Sequence, residues 1–311
     1  MMSTHTELTV LPKNLRRRHG GRNLRGGAAP YLFIAPFYLL YALFMIVPVF
    51  AAIVLSTTEW VGIGAPTFIG FDNYLDLARD TSFGGALVNS GIYTLIAVII
   101  VVPVSLLVAQ GLNAQGLKFR DAFRVAYFVP MVISPIVIAL IFSLILDRDY
   151  GLLNASLHAL FGLPNVDWLG DPMIAKFAIG FVLLWRTVGY LTIFFLAALQ
   201  NVPKELYEAA ALDGAGRWRT FTTVTLPSIR PVAAFVVVTS FISAAQLFDE
   251  PYLLTKGGPG ESTLSVAMFI FRAAFERQQF GYAAAAGVVL FAVVFIVSQA
   301  LNRILGIGRD Q

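Results

Sequence analysis

Long uncharged apolar runs alternate with short polar stretches along this chain. Pro30 to Ser56, Ala86 to Leu117 and Val125 to Leu146 carry no charge. Phe177 to Val202 is interrupted only by Arg186, Pro231 to Phe248 extends toward Leu254, and Phe280 to Asn302 is the last run. A hydrocarbon core of about 30 Å needs about 20 apolar residues in a helix, so each run is long enough to span. Helix is the available form, because an open strand leaves backbone groups unpaired in lipid. The pattern predicts an all-α polytopic membrane protein with six transmembrane helices. Pro36, Pro48, Pro103, Pro130 and Pro135 lie within or near these runs and predict kinks.

Composition agrees. Of 311 residues, 58% are hydrophobic and 13% charged, against about 25% charged in soluble domains. Cysteine is absent, which excludes disulfides and thiolate metal sites. The net charge of +4 is explained by basic loops on one side rather than by nucleic acid. Lys13, Arg16, Arg17, Arg18, Arg22 and Arg25 precede the first run. With that tail inside, Lys118, Arg120, Arg124, Lys204, Arg217, Arg219, Arg230, Arg303 and Arg309 also fall inside. Arg79, Arg148, Lys176, Lys256, Arg272 and Arg277 fall outside. This bias places both termini in the cytoplasm, in a multi-pass protein of the inner or plasma membrane. The expected organisation is a basic tail (1–29), a six-helix permease-like domain (30–304) and a short C-terminal tail (305–311). A secretion signal is the alternative for the N-terminus, but its apolar part is too long and lacks a clear cleavage site. Ser262 to Phe275 is too short to span and contains Arg272. It is expected to lie at the outer interface.

A polar, helix-prone stretch separates runs four and five. Lys204 to Leu212 favours helix, Gly214 and Gly216 break it, and Arg217 to Val224 suits a second short helix that Pro227 ends. The result is a hairpin over 203–227, with Gly214 at its turn and three alanines (209–211) thinning its first arm. It is either an amphipathic element resting on lipid or a rigid docking element for a partner.

The residues of this stretch carry a resemblance. Glu208-Ala209-Ala210, Asp213-Gly214-Ala215 and Leu226-Pro227 resemble the EAA motif of ABC-importer permeases, with Val224 where isoleucine is usual. TFIGFDNYLDLARDTSFGGALVNS (67–90) and FDEPYLLTKGGPGEST (248–263) look like outer loops of carbohydrate-uptake permeases, with Lys256 where glycine is common. The chain resembles the binding-protein-dependent sugar permeases, in the subgroup of the first maltose-type subunit. The resemblance implies a heterodimer with a second permease, and two cytoplasmic ATPase subunits, carrying ATP and magnesium, that grip the EAA hairpins. It also implies an external solute-binding protein and alternating access for a sugar, an oligosaccharide or a glycerol-phosphate compound. No G-x-x-x-x-G-K-[ST] phosphate loop occurs here, and GGRNLRGG in the tail does not match it. No cofactor is therefore expected in this chain.

Polar groups on apolar helices mark a candidate path. Thr239, Ser243, Gln246 and Glu250 fall at i, i+4, i+7 and i+11, one face of a continuous helix. Trp185, Arg186 and Tyr190 cluster within about one turn. Ser and Thr also serve helix packing, and Arg186 is either a substrate contact or half of an ion pair with Glu250 or Asp249. In the maltose-type relatives substrate contacts come from these parts of spans four and five.

Two other classes are weighed. An enzyme needs a catalytic constellation, yet His5 and His19 lie in the tail and His158 stands alone. Asp147, Asp149, Asp167 and Asp171 read as solvated loop acids. A self-sufficient secondary transporter is the nearer rival, but six spans without a visible internal repeat argue against it.

Overall fold

The computed structural model describes residues 29–114 and 118–306. The basic tail up to residue 28, the tip of the second run at 115–117 and the chain after 306 lie outside the described residues. The chain divides into two compact units, 1–49 and 50–311. Helix α1 (Tyr31–Leu55) begins in the first. A short antiparallel ribbon follows, β1 (Thr58–Glu59) with β2 (Thr67–Phe68), in register Thr58 to Phe68. Then come α2 (Asp72–Arg79), α3 (Thr81–Asn113), α4 (Arg120–Val132), α5 (Pro135–Ile145) and α6 (Leu152–Phe161). Helices α7 (Ile174–Gln200), α8 (Lys204–Leu212), α9 (Arg217–Ala245), α10 (Val266–Phe271) and α11 (Phe280–Leu305) complete the described chain. Helices α1, α3, α7, α9 and α11 are each long and apolar enough to cross a bilayer.

The third apolar run is not one straight helix, as expected from its length. Helices α4 and α5 meet at a bend of 101°. Ile133 and Ser134 are extended, and Pro135 opens α5. A residue before proline is pushed out of the helical region, and proline is pre-shaped for the first helical turn. Six spans follow only if this bent pair is counted as one. Pro130, by contrast, stays inside α4.

Other prolines widen a helix instead of ending it. π-helical turns occupy Ala42–Ile46, Ala97–Val101 and Phe221–Thr225, each ending two residues before a proline (Pro48, Pro103, Pro227). Proline lacks the N–H for its i−4 carbonyl and its ring presses on that carbonyl, and a wider turn relieves both. The hairpin's second arm is therefore not terminated by Pro227. It runs without interruption into the fifth span as α9, 29 residues long. Pro203 precedes α8 as its cap, with extended backbone.

The fifth span does not continue smoothly to Leu254. Helix α9 stops at Ala245, and a separate π-helical turn, Pro251–Thr255, follows. Helix resumes at Asp249, and Pro251 cannot donate to the carbonyl four residues back. The expected single face from Thr239 to Glu250 is broken at 246–248.

Helix α7 forms the centre of the second unit, packed along α3 and α4. Gly189 makes this crossing possible: a Cβ there would lie 1.6 Å from the Tyr127 carbonyl oxygen. Val101, Ala109, Leu191, Phe195, Ile229 and Val236 form the core between α3, α7 and α9. The segment expected at the outer interface is instead seated in the protein. Leu264, Val266, Met268 and Phe269 are buried against Phe83, Ala86 and Leu290. Asn89 Nδ2 donates to the Leu264 carbonyl at 3.0 Å, Tyr93 Oη to that of Thr263 at 3.2 Å, and the Val266 N–H to Ser90 Oγ at 3.0 Å. These bonds satisfy backbone groups that irregular chain would otherwise leave unpaired.

Candidate functional sites, an interhelical hairpin and a polar cleft

The hairpin is closed by backbone hydrogen bonds. The Ala215 N–H donates to Ala210 O at 2.9 Å and the Gly214 N–H to Ala211 O at 3.1 Å. This is the 6→1, 5→2 pair of a Schellman cap, which requires left-handed backbone at the residue after the cap. Gly214 supplies it with φ +70°, as its place in the sequence predicts. Gly216 caps the second arm, and the Thr220 N–H donates to its carbonyl at 2.9 Å. Tyr207 Oη and Thr225 Oγ1 join the arms at 3.3 Å.

No residue of α8 is buried. Glu208, Ala209, Asp213, Gly214, Leu226 and Pro227 are exposed, and Ala210 and Ala215 are half-buried. Two residues escaped the sequence reading. Leu212 is 90% and Trp218 76% exposed. Both are large apolar side chains held open on an otherwise polar hairpin. Their placement in a polar connection was the available signal.

The second site is a cleft of about 360 Å³ between α3, α4, α7 and α9, with an apolar wall that includes Val101, Met131, Leu183 and Leu247. Arg186, Thr187 and Tyr190 line it from α7, and Thr239, Ser240 and Ser243 from α9. Four of the seven path residues named from sequence thus come together: Arg186, Tyr190, Thr239 and Ser243. Trp185 lies outside the lining, edge-on to Phe142 with centroids 5.2 Å apart. Gln246 is exposed where α9 ends, also outside the lining. Glu250 is 5% exposed and pairs with Arg186, Nε to Oε1 at 2.7 Å. Among the described residues neither carboxylate oxygen of Glu250 accepts a hydrogen bond, so the contact is an ion pair. Arg186 is thus half of an ion pair and at the same time a wall of the cleft. Ser240, which the sequence reading passed over, is 7% exposed, and its hydroxyl has no hydrogen-bond partner among the described residues.

The loop acids serve local structure. Asp147 Oδ1 accepts from the Asp149 and Tyr150 N–H groups, Asp171 Oδ1 from those of Met173 and Ile174, and Asp167 pairs with Arg148 at 3.5 Å.

Helices crossing a bilayer, a rigid polar hairpin between two of them and a polar cleft within them define a membrane transport subunit. Residues 102–307 match the family of the binding-protein-dependent transport system inner membrane component, and the chain belongs to it. This is the family of permease subunits of ABC importers, whose ATPase is a separate subunit. The chain is 37% identical over 272 residues to the arabinooligosaccharides transport system permease protein AraP of Bacillus subtilis, covering 87% of this chain and 86% of that one. It is 37% identical over 273 residues to the lactose transport system permease protein LacF of Rhizobium radiobacter, covering 86% and 91%. Its fold is similar to that of a bacterial ABC transporter that imports the acidic polysaccharide alginate, with a TM-score of 0.78 at 24% identity over 89% of this chain and 94% of that one.

Proposed function

We propose that this permease subunit carries a sugar or oligosaccharide across the inner or plasma membrane, with both termini in the cytoplasm. An external solute-binding protein delivers the sugar, a second homologous permease completes the path, and two cytoplasmic ATPase subunits bind ATP and magnesium. The family's binding-protein dependence and the substrates named for the AraP and LacF relatives support this reading.

One observation carries the mechanism. The second arm of the hairpin and the helix that lines the cleft are the same helix, α9. From Arg217 to Thr239 it runs about 33 Å at 1.5 Å per residue. Docking of an ATPase on Glu208, Ala209, Ala210, Leu212, Asp213 and Trp218 therefore acts on a rigid lever. Its other end holds Thr239 and Ser243 beside Tyr190. ATPase closure moves the hairpin, and α9 reorients the cleft from one side of the membrane to the other. Gly214 and Ala215 keep the hairpin's angle, and Leu226-Pro227 join it to the span.

The test is reconstitution of the importer in liposomes. ATP-driven uptake that Ser243→Trp abolishes, with the ATPase still bound, is the expected result. Uptake by the permease chain without any ATPase would make it a secondary transporter. Tags at both termini are expected to be accessible from the cytoplasmic side and a label at Gly258 from outside. An externally accessible C-terminus would overturn that topology.

A further inference from the structure

A groove of about 410 Å³ between α3, α4 and α7 has no part in the transport reading. Its wall is apolar, formed by Leu112, Val125, Phe128, Ile193, Leu196 and Ala197. Val125 is 62% and Ile193 47% exposed, so the rim is open rather than packed within this chain. The hydroxyl of Thr192 in the lining is already used, donating to the Val188 carbonyl at 2.7 Å. Such a surface suits hydrocarbon, because covering apolar area is favourable and nothing polar is left to satisfy.

The charge sits at one end. Among the described residues of the lining, Arg124 is the only charged one, and it is half-buried. It stands one turn into α4, while Leu112 and Gln200 lie at the ends of α3 and α7. Helix α8 starts soon afterwards, at Lys204. These helix ends therefore mark the membrane surface on the hairpin's side. From Gly189 to Gln200 the lining follows α7 for about 16 Å at 1.5 Å per residue. One leaflet of a hydrocarbon core of about 30 Å is about 15 Å deep. A guanidinium at the interface, with one leaflet's depth of apolar wall beneath it, is complementary to a phospholipid. The planar fork of N–H donors on arginine matches phosphate oxygens. Lys118, Arg120 and Arg124, against Asp121, leave residues 118–124 with net positive charge. That charge favours an anionic headgroup over a zwitterionic one.

We infer that this groove binds an anionic phospholipid of the leaflet on the hairpin's side, cytoplasmic in the topology proposed above. Its phosphate meets Arg124, and an acyl chain lies along Val125, Phe128, Ile193 and Ala197. Helix α7 leads from this wall into α8 across Asn201, Val202 and Pro203, so the lipid packs at the base of the hairpin. Its binding is independent of which solute crosses.

The test reads lipid contact directly. The chain has no cysteine, so an introduced one carries a bimane fluorophore alone when the partner subunits are also cysteine-free. Val125→Cys reports the groove. Ile304→Cys, 74% exposed near the end of α11, reports ordinary surrounding lipid. The full complex is placed in phosphatidylcholine vesicles containing brominated phosphatidylglycerol or brominated phosphatidylcholine as quencher. At Val125→Cys the brominated phosphatidylglycerol is expected to quench at about fivefold lower mole fraction than the brominated phosphatidylcholine. At Ile304→Cys the two are expected to quench alike. Arg124→Gln is expected to remove the preference at Val125→Cys, and Ala197→Trp, which fills the groove, to remove it as well. If Arg124→Gln fails to assemble, the contrast between the two reporters and the effect of Ala197→Trp decide. Equal quenching by both lipids at Val125→Cys, or a preference that survives Ala197→Trp, overturns the lipid site. Absence of quenching by either lipid there also overturns it and assigns the groove to a neighbouring subunit.

Discussion

Tyr207 Oη lies 3.3 Å from Thr225 Oγ1 and ties the first arm of the hairpin to the widened turn at the base of the second. Thr225 is 6% exposed there, so the bond is sheltered from water. Tyr207→Phe removes it at a cost of about 0.5–1.5 kcal/mol. Amide exchange in α8 is expected to accelerate about twofold to tenfold by the same energy. Unchanged exchange would show that the arms are held by packing alone.

Gly214 tests backbone conformation without a steric complication. Its φ is +70°, and a Cβ there meets nothing within 4 Å. Any loss on substitution therefore comes from left-handed strain, about 1–2 kcal/mol for a residue with a Cβ and least for asparagine. Co-purification of the ATPase is expected to fall in the order Gly, Asn, Ala, Val at this position. An equal yield from Gly214→Val would mean that the turn angle does not matter for docking.

The contact surface makes a separate prediction. Glu208 is exposed, so its replacement leaves the free permease folded. If it meets a basic group on the ATPase, Glu208→Lys loses about 2–5 kcal/mol of association. Ala210→Trp is expected to block the approach sterically, and Trp218→Ala to weaken it by about 2 kcal/mol or more as an exposed anchor. Binding is read by titrating the ATPase onto nanodisc-held permease. Wild-type affinity in all three would return the hairpin to the lipid surface.

The crossing of α4 and α7 predicts an effect remote from both sites. A Cβ at Gly189 would lie 1.6 Å from the Tyr127 carbonyl oxygen, so Gly189→Ala forces the helices apart. The cost is about 1–3 kcal/mol, read as a lower Tm of the purified permease. A wild-type Tm would show that the crossing has room.

Much of this molecule is written locally. Run length sets the helices, because lipid offers backbone groups no alternative partner. The Gly214 turn is equally legible, since left-handed backbone selects glycine within a few residues of chain. Ser134-Pro135 signals a boundary, although the sequence reading allowed only a kink where the bend is 101°. What faces what is a different matter. In a bilayer the lipid-facing and core-facing sides of a helix are both apolar, so hydrophobic periodicity does not say which side is buried. That is why Ser243 was picked by spacing while Ser240, three residues earlier, was missed, and why Trp185 and Gln246 fall outside the cleft they were assigned to. The choice of Glu250 over Asp249 as the partner of Arg186 depends on the break at 246–248 and the helix restarting at Asp249. The seating of Val266 and Phe269 depends on hydrogen bonds with Asn89, Ser90 and Tyr93, 170 or more residues away. Local stereochemistry decided the elements, and only the packing of distant helices decided which polar side chains meet.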